Sequence, residues 1–543
     1  MVCRCFGFRG HSSSPSNLFP LIAAIGPTWW QLPSAGARIC ATLDVELWFW
    51  LAGLIRSSLM KNGYKRVIVF IAVVALAAAM AVLFYGSRLA AIGTAYAAKI
   101  LCSGIFVSQR DPLSLLSADV SADDLSFLRH IDVQVDRGSR EVTATFFGFA
   151  RRKAVYREGR GCAVIHGEIA GPPTSRTEGS TERLREQRAV MDELDTSRSL
   201  PRELDQSRLD AALEWAFLES DPVLPRRTRA VVVVYKGRLL AERYADHFTK
   251  DTPLNGWSMT KSVINALVGI LVKEGKVSLS DSVAIPQWQG SGDPRRKITL
   301  EHLLLMSSGL QFHEEYSNPL ADVTYMLLGV PDAAAYAAAK PLEVQPGTRW
   351  SYSSGTTNII AYAIRQIVGD SDYLEFPRRA LFDRLGMTSA VMETDATGTF
   401  VGSSFMYATA RDWARFGLLY LRDGVWSGQR ILPEGWVAYT RTPAPNAPEQ
   451  QYGAHFWLRI LNVQHCSNDG HPVPADAFHA IGHEGQFITI IPSRELVLVR
   501  LGLTRYPCAW DQQMFVHLVL AALPNGKHAN PVLQETRQQM ARP

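Results

Sequence analysis

The spacing of apolar residues divides this chain into regions of different character. An uninterrupted apolar run, Val67 through Phe84, has eighteen residues, the lower limit for spanning a bilayer. Arg56, Lys61, Lys65 and Arg66 precede it, whereas only Arg88 and Lys99 follow closely. The positive-inside rule then keeps the N-terminal side in the cytoplasm and places the large C-terminal part outside. Short β-rich runs come next. Glu141 to Phe147 predicts a strand, followed by a basic patch, Arg151-Arg152-Lys153. Ala230 to Val234 and Leu239 to Tyr244 predict a hairpin turning at Lys236-Gly237, and Phe487 to Ile491 and Leu496 to Leu501 predict further strands of an antiparallel sheet. Leu209, Leu213, Ala216 and Phe217 recur at helical spacing over residues 206–218, and Val263 to Val272 is long and apolar enough for a buried helix.

Polar stretches supply the boundaries. Pro172 to Arg202 is charge-rich with no sustained apolar period and reads as a linker. Met60 opens Met-Lys-Asn-Gly-Tyr-Lys-Arg, a basic lead into the apolar run. The organisation expected is an upstream extension of doubtful reality (1–59), a membrane anchor or signal segment (60–97) and a small N-terminal region (98–170). A linker (171–204), a catalytic domain (205–525) and a C-terminal tail (526–543) follow. Ala95-Tyr96-Ala97 has the small residues of a cleavage site, but the length of the run favours an uncleaved anchor.

Composition adds exclusions. A net charge of +5 over 543 residues is slight. The chain has no long basic run, zinc-finger spacing or Gly-rich phosphate loop, so neither nucleic acid nor a cofactor is an expected partner. Of the seven cysteines, Cys102, Cys162, Cys466 and Cys508 lie beyond the apolar run. In an oxidising compartment they permit two bridges. Cys102–Cys162 is the pairing favoured, with Cys466–Cys508 possible and four free thiols the alternative.

The chemistry concentrates in three segments. Ser258-Met-Thr-Lys261 puts a hydroxyl and an amine one helical turn apart on the same face. A serine needs an adjacent base, and a lysine serves as one when burial keeps it neutral. Alone, Ser-x-x-Lys is weak, since many helices contain it by chance. It is accompanied by Tyr352-Ser353-Ser354-Gly355 and then by Gly482-His483-Glu484-Gly485-Gln486. His479 and His483 stand four apart, but no Glu lies between them in the zinc-protease pattern, so no metal site is expected.

With three motifs in this order, the chain from about Arg229 to Leu520 resembles the serine β-lactamase and penicillin-binding-protein superfamily. It is closest to the class C and esterase-like branch, which includes 6-aminohexanoate-dimer hydrolases. The resemblance implies an α+β fold, β-lactamase/transpeptidase-like, with an antiparallel sheet flanked by helices and a mainly helical region. The transmembrane segment precedes it. It also implies acyl-enzyme catalysis with Ser258 as nucleophile and Lys261 and Tyr352 sharing the proton work. The backbone N–H groups of Ser258 and Gln486 would form the oxyanion hole. His483 and Ser354 would face substrate, Gly485 would let it approach the strand edge, and Glu484 would be solvent-facing or structural. Ser354 and His483 replace an Asn and a Lys of β-lactamases, which argues for a small amide or ester over a β-lactam. Loops 314–329 and 443–451 would set specificity. The competing readings are a DD-peptidase or true β-lactamase, and a non-catalytic ligand-binding or sensor module.

Overall fold

A computed structural model describes residues 63–167, Leu194, 203–460 and 471–524. The upstream extension, nearly all of the linker, Cys466 and the C-terminal tail lie outside the described residues. The chain divides into two compact units, Met1–Leu83 and Phe84–Pro543.

In the first unit the described residues are the opening turns of helix α1 (Gly63–Phe106). Val67, Ile68, Phe70, Ile71, Val82 and Leu83 are all exposed. The helix is long and apolar enough to cross a membrane.

In the second unit α1 changes character. Ile92, Ala95, Ala97, Ala98, Leu101 and Ile105 are buried in the main core. The boundary expected between 97 and 98 thus falls inside one continuous helix. Against α1 lies a four-stranded antiparallel sheet of β1 (Ile131–Asp136), β2 (Glu141–Phe146), β3 (Phe149–Arg157) and β4 (Gly161–Ile165). The basic patch therefore forms part of a strand. Cys102 of α1 and Cys162 of β4 are bridged, with 6.0 Å between their Cα atoms, as the cysteine positions suggested. Cys508 is also disulfide-bonded.

Helix α2 (Gln206–Phe217) is capped by Asp205, whose side chain accepts from Arg208 N. It leads to β5 (Thr228–Tyr235), β6 (Arg238–Tyr244) and the short β7 (Leu254–Asn255). Helices α3 (Met259–Lys273) and α4 (Ser354–Val368) carry the first two motifs. Strands β8 (Val391–Met392) and β9 (Met406–Ala408), helix α5 (Ala410–Leu421) and the small hairpin β10–β11 (Val425–Trp426, Gln429–Arg430) come next. The chain closes with β12 (Phe478–Gly482), β13 (Gln486–Ile491), β14 (Leu496–Gly502) and α6 (Gln512–Ala522).

The central sheet is antiparallel, in the order β12-β13-β14-β5-β6. Side chains alternate across a strand, so the valine run of β5 serves both faces. Val232 and Val234 join the core that contains α3 and α5, while Val231 and Val233 join the one that contains α2 and α6. Burial on both faces explains why this strand reads as continuously apolar. The third motif occupies the turn between β12 and β13, at one edge of the sheet.

Candidate active site

Ser258 stands at the N-terminus of α3. The preceding Trp257 has φ +47°, an uncommon conformation for a bulky side chain. Two bonds hold it there: its N–H donates to Asn255 Oδ1 at 3.0 Å and its indole Nε1–H to Glu484 Oε2 at 3.0 Å. Backbone strain of this kind persists only where the surroundings over-determine it. Glu484 is accordingly buried and also meets Arg505 at 3.4 Å. Of the two readings for Glu484, the structure supports the structural one and corrects the solvent-facing one.

Lys261 follows one turn later and is only 1 % exposed. Its Nζ lies 3.0 Å from Ser258 Oγ, 2.9 Å from Ser354 Oγ and 3.0 Å from the Ser403 carbonyl. Burial pulls the amine down to about 8, while the Glu314 carboxylate acts in the opposite direction. The hydrogen-bond count of a neutral amine closes here. It can accept the Ser258 proton and still donate to Ser354 Oγ and Ser403 O.

Ser354 is the residue that couples this lysine to a carboxylate. Its hydroxyl donates to Glu314 Oε1 at 2.5 Å, and its N–H donates to Glu314 Oε2 at 2.7 Å. Burial pushes the Glu314 carboxyl up, and Lys261 and Ser354 oppose that shift. The expected substrate contact of Ser354 thus competes with two strong contacts inside the protein.

Tyr352 lies beside this chain of polar groups, with Lys261 Nζ 4.9 Å from its ring centroid. Burial, with Tyr452 and Glu314 nearby, holds its phenol well above the usual tyrosine range, although Ser258 acts to lower it. Tyr452 meets the ring edge-on at 5.7 Å and Trp457 lies tilted at 5.3 Å. Trp350 is 5.7 Å from Tyr452, which completes an aromatic wall.

His483 is stacked on Tyr316 at 4.3 Å and meets Trp257 edge-on at 5.5 Å. Ser258, Ser354 and Ser404 all lie close enough to act on the Tyr316 phenol, and its buried hydroxyl forms no hydrogen bond of normal geometry with the described residues. Gly485 has φ +78°, and a Cβ there would meet Arg500 Nη1 at 2.5 Å. Arg500 in turn donates to the Gly485 carbonyl at 2.6 Å. The glycine is therefore required by the turn and by the arginine packed against it, independently of any substrate. The Gln486 side chain is spent on the main chain of Gly502, His483 and Glu484. Only its backbone remains for substrate.

The motifs lie far apart in the chain, and the fold brings Ser258, Lys261, Tyr352, Ser354 and His483 into one cluster. Sequence reasoning placed the specificity loop at 314–329 but missed what Glu314 and Tyr316 do within it. It also missed Ser403 and His455. The His455 imidazole lies 3.0 Å from the Lys261 carbonyl through Nδ1, and Ser262 Oγ donates to the His455 carbonyl at 2.8 Å.

Residues 225–541, more than half of the chain, match the family described as Beta-lactamase. The chain belongs to the Beta-lactamase family. A relative of this family member, the 6-aminohexanoate-dimer hydrolase of Paenarthrobacter ureafaciens, is 26 % identical over 299 residues, which cover 51 % of this chain and 72 % of that protein. Among solved structures, a penicillin-binding protein homologue from Caulobacter crescentus is similar with a TM-score of 0.45. It is 16 % identical and covers 61 % of this chain and 100 % of its own. A family VIII carboxylesterase is similar with a TM-score of 0.46. It is 14 % identical and covers 60 % of this chain and 99 % of its own. Proteins of this family are serine hydrolases, and the fold is the β-lactamase/transpeptidase-like one that the motif order implied.

Proposed function

We propose that this protein is an acyl-enzyme serine hydrolase for a small amide or ester, exported and held to the membrane by α1. The observation that carries the chemistry is Lys261. It is buried, its Nζ is 3.0 Å from Ser258 Oγ, and its amine is pulled down to about 8. A lysine in that state is a competent general base. Neutral Lys261 takes the Ser258 proton as Oγ attacks the carbonyl carbon. The negative charge that develops on the carbonyl oxygen is met by the N–H groups of Ser258 and Gln486. The proton then passes from Lys261 toward the leaving group by way of Tyr352, whose phenol stays protonated in this environment. Water attacks the acyl-enzyme with the same groups in reverse, releasing the acid and restoring Ser258. Burial lowers the lysine and raises the tyrosine, which supports Lys261 as the base.

The stacked His483 and Tyr316 are the groups assigned to the leaving group, and the aromatic wall around Tyr352 suits an apolar acyl chain. The name of the Paenarthrobacter relative favours an amide of a small amino acid type. Ser354, already committed to Lys261 and Glu314, counts against efficient β-lactam turnover. Membrane attachment is supported by the exposed apolar face of α1 before residue 84 and by Ile92, Ala95 and Ala97, whose burial favours an uncleaved helix. Export is supported by the flanking charges and by the Cys102–Cys162 bridge.

The test is to treat the full-length protein, in detergent, with a fluorophosphonate probe and locate the adduct by peptide mass spectrometry. Labelling of Ser258 that disappears in Lys261→Ala supports the reading. A folded, unlabelled protein would move it to a ligand-binding module.

A further inference from the structure

Residues 84–167 lie outside the family match, yet they reach the Lys261 site through a buried ion pair. Lys99 of α1 and Glu393, 2 % and 0 % exposed, are in direct contact. The Glu393 carboxylate also accepts from Ser103 Oγ at 2.8 Å and from the Cys162 N–H at 2.7 Å. A Cβ at Gly161 would meet the Glu393 side chain at 2.4 Å, so β4 approaches this carboxylate as closely as a glycine permits. The disulfide fixes Cys162, and with it that N–H, to α1.

The other end of Glu393 grips the segment that faces Lys261. Its N–H donates to the Phe405 carbonyl at 2.8 Å, and its carbonyl accepts from Val401 N at 3.0 Å. Lys99 Nζ lies 4.1 Å from the Phe405 ring centroid. Between those anchors sits Ser403, whose carbonyl accepts from Lys261 Nζ at 3.0 Å and whose N–H donates to Asn358 Oδ1 at 3.1 Å. Burying two charges has a large desolvation cost, and an apolar pair of similar volume is often at least as stable. The pair supplies direction: it fixes where residues 401–405 stand.

We propose that Lys99 and Glu393 are positioning residues for Lys261, by which the N-terminal region holds the Ser403 carbonyl against the amine and keeps that amine dry and aimed at Ser258. The inference rests on the proposed role of Lys261. When the 401–405 segment loosens, water reaches Nζ, and the amine becomes more basic. The fraction of neutral base at a given pH then falls. Glu314, Tyr316, Tyr352, Tyr452, His455 and His483 are titratable groups around this site, and none is altered by the substitutions below.

The experiment measures kcat and KM against pH for p-nitrophenyl acetate, together with Tm, in full-length wild type, in Lys99→Met/Glu393→Gln and in Cys102→Ser/Cys162→Ser. Both double variants are expected to move the acidic limb of kcat to higher pH, with about a tenfold loss at pH 7 for each unit moved, and to change KM by less than about twofold. A lowered Tm with an unmoved limb means that the pair is structural only and overturns the proposal. If the first variant fails to fold, the cysteine variant decides by the same criterion. If Lys261→Ala retains the wild-type limb, the proposed function fails instead, and the two failures are distinguishable.

Discussion

Lys261 Nζ and Ser354 Oγ are 2.9 Å apart, and the same serine hydroxyl donates to Glu314 at 2.5 Å. Three motif positions and one loop carboxylate therefore form one hydrogen-bonded chain, from Ser258 to Glu314, in which Lys261 and Glu314 influence each other's protonation. The consequences are measurable.

The first concerns pH. Lys261 must be neutral to accept a proton, so kcat should rise with pH and level off above about 8. The Glu314 carboxylate raises the lysine. Glu314→Gln removes that effect and should shift the limb to lower pH. A pH–rate profile of both proteins checks the sign.

Tyr316 offers a test that separates activity from stability. Its hydroxyl is buried and forms no hydrogen bond of normal geometry with the described residues, so Tyr316→Phe removes little from the free protein. Stability should change by less than about 1 kcal/mol. If the hydroxyl meets the substrate, kcat/KM should fall by up to about tenfold. Thermal unfolding and steady-state kinetics on the same preparation read both quantities.

Gly485→Ala should destabilise the protein by about 1–3 kcal/mol, because it imposes a side chain at positive φ and against Arg500. Since the glycine sits within the third motif, labelling of Ser258 by the fluorophosphonate should slow as well. Denaturant unfolding and labelling rates measure the two effects.

Anchoring predicts an intact N-terminal helix. Mass spectrometry of protein extracted from membranes should find an N-terminus upstream of residue 67. The protein should resist extraction by alkaline carbonate and be released by detergent. A soluble product beginning near residue 98 would show instead that the segment is cleaved.

Much of this was legible in the sequence because it depends on local periodicity and spacing. The valine run of β5, the helical spacing in α2 and the apolar stretch of α1 announce their elements directly, since side-chain direction follows the backbone repeat. Ser258 and Lys261 were also legible, being one helical turn apart. The motif order supplied Tyr352 and His483, and with them the family.

The tertiary structure decided the rest. Glu314 and Tyr316 lie in an irregular loop, where no period signals which side chain turns inward. Lys99 and Glu393 are 294 positions apart, and their pairing exists only because α1 continues past the apolar run into the core. Glu484 read as solvent-facing or structural, and its contacts with Trp257 and Arg505 decided for the structural role. By itself the sequence determined the strongly periodic elements and the one-turn spacing of Ser258 and Lys261. Which distant polar groups surround that pair, and hence its protonation, was set by burial and long-range packing, which local spacing does not encode.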